Sequence, residues 1–183
     1  MPVRCVWVKG EAMTRYHDTE WGKPEHDDAK LAEMLVLEGF QAGLSWAVVL
    51  NKRENFRKAF AGFDPKKIAA FGEQDVNRLM EDPGIVRNRR KIEGVIQNMR
   101  VFLDIQAEFG SFDRYLWGFA PEAPIIGGQE LICSSPLSDA VSKDMIRRGM
   151  RFVGSVTIYS YLQSIGIVND HDRTCFRYPE LMA

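Results

Sequence analysis

"LMEDPGIVRNRRKIEG", Leu79 to Gly94, is the stretch on which the fold turns. Val76, Leu79 and Met80 give "EQDVNRLM" one apolar helical face, Pro83-Gly84 makes a tight turn, and a long helix begins behind it. Arg87, Arg89, Arg90 and Lys91 crowd the start of that helix, where cations oppose the helix dipole. A phosphate would compensate them, bound by backbone N–H groups at the turn and by charge-assisted bonds from the cluster. A helix-hairpin-helix element grips nucleic-acid backbone in this way without reading sequence. Gly84, Arg87, Arg89, Arg90 and Lys91 are therefore candidate DNA contacts. The same pattern suits an ordinary solvated turn with surface arginines equally well.

Outward from this turn, helix signals dominate. "KIEGVIQNMRVFLDIQAEFG" places Ile92, Val95, Ile96, Met99, Phe102 and Leu103 on one side and stops at Gly110. Upstream, Asp27 and Asp28 cap a helix through about Phe40, and Ser45 caps another carrying Trp46, Val49, Leu50, Arg53, Phe56 and Phe60. Asp64 followed by Pro65 starts a further one. Downstream, Ser111 and Ser138 begin two more, the second ending at Gly149, and "SVTIYSYLQSIG" closes at Gly166. No alternating strand pair with a hairpin turn is present, and "APEAPIIGGQELICSSP" reads as irregular. The expected fold class is all-α.

The totals bound the rest. A chain of 183 residues that is 45% hydrophobic suits one globular unit, residues 1–183, with two helical lobes. With 24 basic and 25 acidic side chains the net charge is −1, so nucleic-acid binding must come from a local patch. No apolar run approaches the roughly 20 residues of a membrane span, and the first residues lack the order of a signal peptide. A cytoplasmic protein with no membrane partner is expected. Three widely spaced cysteines argue for reduced thiols or a metal site.

Two constellations carry chemistry. In "LVLEGFQAGLSW", Leu31, Met34, Leu35, Glu38 and Ala42 share one helical stripe, which aims the Glu38 carboxylate into apolar surroundings. A buried charge is costly unless paired, so Glu38 either sits at the stripe's edge reaching solvent or an arginine, or has a functional reason to be there. Trp7, Tyr16, Trp21 and Trp46 flank this helix in sequence. Each alone reads as core; around a buried acid they form a slot for a flat, electron-poor ring with donors on its edge. The second constellation is Cys5 and His17 near the start with His171 and Cys175 near the end, a complete tetrahedral zinc set that would pin the termini together. Its spacing fits no standard zinc finger, and two core thiols with two polar histidines remain the alternative. His26 and Cys133 have no role.

The segments "RCVW", "YHDTEWGKPEHDD", "LEGFQAGLSW", "KRENFRKAF", "PGIVRNRRKI", "RFVG" and "GIVNDH", running from Arg4 to His171, resemble the bacterial type I 3-methyladenine DNA glycosylases. The resemblance implies an all-α fold of the helix-hairpin-helix glycosylase superfamily, with a hairpin lobe at about 45–110. The other lobe holds the terminal segments and one structural Zn2+ on Cys5, His17, His171 and Cys175. It implies that Glu38 hydrogen-bonds the edge of the alkylated base, that Trp46 stacks on it, and that Tyr16 borders it. Trp7 and Trp21 shape the pocket, Ser160 lies in a helix reaching it, and Gly43 and Leu44 enter the gap left by a flipped nucleotide. The implied activity is hydrolytic release of 3-methyladenine from duplex DNA by a monomer, leaving an abasic site.

Three positions bear on how the chain compares with related patterns. Met13 stands where the family often has tyrosine, which softens one pocket wall. Asn88 occupies the place where relatives in the superfamily carry a lyase lysine, and Asp104 reads as a solvated helix residue rather than a catalytic acid. N3-methylation already weakens the glycosidic bond, so recognition rather than strong acid–base catalysis carries selectivity. The rival readings are a non-catalytic zinc-stabilised binder of damaged or bent DNA, and a zinc-stabilised helical interaction protein.

Overall fold

The computed structural model describes residues 2–122, 125–127 and 132–181. They form eleven α-helices, a 3-10 turn and a two-stranded parallel ladder. The centre is α2 (Asp28–Gln41), capped by Asp27, whose carboxylate accepts from the Ala29 N–H at 2.8 Å. Every residue from Leu31 to Phe40 is buried. The helix is therefore covered all round rather than on one stripe, and both Glu33 and Glu38 lie inside.

The preceding α1 (Glu11–Thr19) carries no strong sequence signal: it follows Gly10, which offers no side-chain cap, and buries only Tyr16 and His17. The helix expected from Ser45 to Phe60 is two helices, α3 (Trp46–Asn51) and α4 (Arg53–Ala59), broken at Lys52. There the backbone leaves helical geometry and the Lys52 ammonium donates to the carbonyls of Pro83 and Gly84 at 3.3 and 3.4 Å. After the 3-10 turn Ala61–Phe63 come α5 (Pro65–Ala69), capped by Asp64, and α6 (Glu73–Glu81). The turn at Pro83-Gly84 then leads into α7 (Arg89–Phe109), capped by Asn88 and ended at Gly110.

Ser111 caps α8 (Phe112–Trp117), and the Asp28 carboxylate accepts two more N–H groups there, from Phe112 and Asp113, at 2.8 Å each. α9 spans Pro136–Arg147 and starts three residues earlier than expected. Ser135 is its cap, while Ser138 answers from the third helical position in a reciprocal capping box. "SVTIYSYLQS" is helical as α10 (Ser155–Ser164) despite its β-branched residues, and Arg177–Glu180 forms α11. The irregular stretch 120–136 lies partly outside the described residues. Within it, β1 (Ile125–Ile126) pairs in parallel with β2 (Val168–Asn169), a ladder too short to leave an alternating pattern in sequence. The buried side chains form one continuous core from Cys5 to Cys175.

Candidate active site and metal centre

Glu38, one turn before the end of α2, opens onto a cavity of about 580 Å³. α1 contributes Met13 and Tyr16, α3 contributes Trp46, α10 contributes Ser160 and Gln163, and Trp7 and Trp21 come from the segments flanking α1. The expected pocket residues thus converge. Trp7 and Trp21 meet edge to face at 4.9 Å, and the Tyr16 and Trp46 rings are 5.3 Å apart. Sequence reasoning missed Gln41, Gln163, Asp170 and Asp172, which also line the cavity. The first two were legible as neighbours at i+3 of Glu38 and Ser160.

Glu38 is 4% exposed, and burial pushes its carboxyl up to about 8. It has no ion pair or hydrogen bond among the described residues, so at neutral pH it is mostly uncharged. The Tyr16 hydroxyl and the Trp46 indole N–H are likewise buried without partners. An orphaned buried polar group costs about 1–3 kcal/mol. The Tyr16 hydroxyl, the Trp46 N–H and one oxygen of Asp170 are such groups in the cavity lining, beside the unpaired Glu38 carboxyl, and a flat ligand with donors and acceptors on its edge would supply their partners.

A part-buried ion cluster built on the buried Glu33 holds this geometry. Arg53 of α4 donates to both oxygens of Glu20 at 2.9 and 2.8 Å and to Glu33 of α2 at 2.7 Å; Arg57 also grips Glu33 at 2.7 Å. Glu20 immediately follows α1, one turn beyond Tyr16. The cluster therefore locks the helix bearing Tyr16 against the helix bearing Glu38.

Cys5, His17, His171 and Cys175 are all buried, with their ligand atoms within 4.8 Å of one another. The four sulfur–nitrogen separations are 3.3, 3.4, 3.4 and 3.6 Å. A tetrahedron with metal–sulfur bonds of about 2.3 Å and metal–nitrogen bonds of about 2.0–2.1 Å has such edges at about 3.6 Å. Burial pushes the Cys5 thiol up to about 12 and His171 down to about 4, so the set lacks the positive charge a divalent cation would bring. Outer partners fix the rings. His17 Nδ1 is 2.8 Å from Asp18, itself held by Arg4, and with Nδ1 of His171 turned to the cluster its Nε2–H donates to the Trp21 carbonyl. Gly22 (φ +78°) permits this approach, because a Cβ there would lie 2.8 Å from His171 Nε2. The residues present fit a tetrahedral metal ion.

The hairpin differs from expectation in detail. Arg87 and Arg90 are exposed, with no ion pair among the described residues. Arg89 is engaged by Glu73, Asn77 and Glu93, which tie α6 to α7. Lys91 is corrected as a phosphate contact: it is 8% exposed, and its ammonium donates to the carbonyls of Phe40 and Ala42 at the end of α2. The Gly84 N–H donates to Asp82 at 2.7 Å. Asn88 serves as a helix cap and Asp104 is exposed. Gly43 and Leu44 lie at the surface end of α2, Gly43 exposed.

A mostly helical fold with an aromatic cavity around a buried unpaired acid, and a separate hairpin carrying exposed arginines, defines a protein with a slot for a flat ring. The sequence profile of the methyladenine glycosylases matches residues 7–178, and the chain belongs to that family. It is 46% identical to DNA-3-methyladenine glycosylase 1 of Escherichia coli (strain K12), over 96% of this chain and 97% of that protein. It superposes on a crystal structure of 3-methyladenine DNA glycosylase I with a TM-score of 0.92 at 46% identity, covering 97% of this chain and all of that one. Against the Staphylococcus aureus enzyme, solved to show the structural basis of its 3-methyladenine recognition, the TM-score is 0.91 at 34% identity, covering 96% of each chain.

Proposed function

We propose that this protein is a monofunctional base-excision glycosylase that flips 3-methyladenine out of alkylated duplex DNA and hydrolyses its glycosidic bond, leaving an abasic site. The observation that carries this reading is Glu38, buried and unpaired in an aromatic cavity. N3-methylation makes the base cationic. A cation beside Glu38 favours its ionised form, so the carboxyl gives up its proton and accepts the exocyclic N–H of the base as half of an ion pair. Trp46 stacks on the positive ring, Tyr16 borders it, and Trp7, Trp21 and Ser160 shape the remaining walls. The leaving group needs little protonation, so the pocket's task is selection.

Gly43 and Leu44 fill the space left in the duplex, while Arg87 and Arg90 hold phosphates beside the Gly84 turn, whose own N–H is taken by Asp82. The metal is Zn2+, structural because protein supplies all four ligands. The protein works as a monomer in the cytoplasm, its hairpin lobe at about 45–110 packed on the lobe that carries the termini. No helix among the described residues is long and apolar enough to cross a membrane. Chromatography of the bases freed from methylated DNA tests the reading: 3-methyladenine is expected, and no released base would overturn it.

A further inference from the structure

The end of α2 lacks its own counter-charge. The last carbonyls of a helix have no intrahelical partners and carry the negative end of its dipole, and the final turn of α2 contains no basic residue. Lys91 supplies the charge from another helix. Its Nζ donates to Phe40 O at 2.8 Å and Ala42 O at 2.5 Å, and its own N–H is received by Asn88 at 3.2 Å, which fixes it in the first turn of α7. Phe40 is itself wholly buried, with its ring 4.7 Å from Phe56.

The residues beyond Ala42 form a closed turn. Leu44 N–H donates to Gln41 O at 2.7 Å, and the Gln41 side-chain amide donates back to Leu44 O at 2.7 Å. A second lysine runs the opposite way: Lys52, just after α3, donates to Pro83 O and Gly84 O at the hairpin tip. Two ammonium groups thus brace this region: Lys91 ties the first turn of α7 to the end of α2 just before Gly43-Leu44, and Lys52 ties the break between α3 and α4 to the Pro83-Gly84 turn.

We propose that Lys91 is a positioning residue that sets the register between the hairpin's hold on the phosphates and the Gly43-Leu44 wedge. A duplex presents its phosphates and its base step at a fixed separation, so wedge and hairpin must be held at a matching one for the nucleotide to leave the stack. Burial disfavours a free ammonium at Lys91 and lowers its pKa, and the two carbonyls hold the charge in place. This inference rests on the glycosylase reading above.

Lys91→Met keeps the apolar stem and deletes the ammonium. Three quantities are measured on it beside wild type: affinity for free 3-methyladenine by tryptophan fluorescence, affinity for undamaged duplex, and single-turnover release of 3-methyladenine from methylated DNA at saturating enzyme. The first two are expected within about threefold of wild type, while release falls about 30-fold or more. Lys91→Gln, which retains one donor, is expected to recover part of the loss and is scored by the same criteria if the methionine variant does not fold. Unchanged release overturns the proposal. So does a matching fall in free-base affinity, which would make Lys91 a support of the pocket alone, or in duplex affinity, which would make it a phosphate contact. Wild type that releases no base counts against the glycosylase reading instead.

Discussion

The main-chain oxygen of Trp21 lies 3.1 Å from Nε2 of His171, so the wall of the base pocket and the metal centre share one hydrogen bond. The Trp21 ring also meets the His171 ring edge to face at 4.5 Å, and Trp7 meets His17 at 5.4 Å. A metal that fixes the two imidazoles therefore fixes the two indoles packed edge to face against them.

Metal removal is expected to affect both stability and the pocket. Losing one ligand in Cys175→Ser, or chelating the ion, forfeits several kcal/mol of binding linked to folding. At about 2–4 °C per kcal/mol for a chain of this size, the melting temperature falls by roughly 10 °C or more. Free 3-methyladenine should bind more weakly below that new midpoint, as Trp7 and Trp21 lose their backing. Metal analysis of purified protein should find one zinc per chain; a metal-free protein with the wild-type melting temperature would refute the centre.

Glu38 makes stability depend on pH. Its carboxyl rises from an ordinary 4.5 to about 8 on folding, so the folded state binds a proton that the unfolded chain has released. The associated stability is fully present below pH 4.5 and is lost as pH climbs through about 8, up to a few kcal/mol in all. Tyr16 and Tyr161, which feel the same charge, are pushed upward by burial and stay neutral throughout. Glu38→Gln cannot ionise, so the wild type should lose stability against it between pH 5 and about 9. Parallel melting curves for the two proteins would show that Glu38 titrates normally.

Most helices were legible because their ends carry chemistry: Asp27, Asp64 and Ser111 are caps in the structure as their side chains predict, whereas Ser45 precedes α3 without a capping bond and Asn88 caps α7 unforeseen. The errors fall where tertiary contacts decide. Lys52 breaks the α3–α4 run while bonded to a turn 31 residues away, and Lys91, read as a surface cation from its neighbours, is drawn inward by carbonyls 49 and 51 residues earlier. Glu38 and the four soft ligands were legible, since an acid on an apolar stripe and Cys/His pairs at both termini are unusual in themselves, whereas Gln41, Gln163, Asp170 and Asp172 carry no such mark. The Glu20–Arg53–Glu33–Arg57 cluster was not legible, because charged residues on helices ordinarily face water and nothing in their spacing marks these as partners or Glu33 as buried.

Arg87 and Arg90 are the hairpin cations free to meet phosphate. Changing both to Ala should weaken binding to damaged and undamaged duplex alike, and should lower the slope of log affinity against log salt by about 2, close to 0.9 per lost contact. The pocket lies elsewhere, so affinity for the free base should not move. An unaltered salt slope would place the DNA grip on another surface.

Base selectivity follows from what Glu38 can do in each of its two states. Adenine turns an exocyclic N–H donor and an N7 acceptor toward a reader of this edge, whereas guanine shows two acceptors, O6 and N7. A carboxylate placed to receive adenine's exocyclic N–H meets the O6 acceptor in any guanine lesion, so 7-methylguanine and 8-oxoguanine should stay largely in DNA. Unmethylated adenine has the correct edge but no charge; Glu38 stays protonated against it, and the contact is a neutral hydrogen bond worth about 1 kcal/mol rather than the 1.5–3 kcal/mol of a charged one. The cationic lesion is also favoured by stacking on Trp46, and its glycosidic bond is already weak. Glu38→Gln keeps the neutral hydrogen bonds and loses the ion pair, so release of 3-methyladenine should drop about 10- to 100-fold while the weak affinity for free adenine barely changes. Met13, smaller and softer than the tyrosine expected there, is where some 3-methylguanine should leak through. Release of 7-methylguanine by the wild type at a rate comparable to 3-methyladenine would contradict reading by Glu38 and mark a broad alkylpurine enzyme instead.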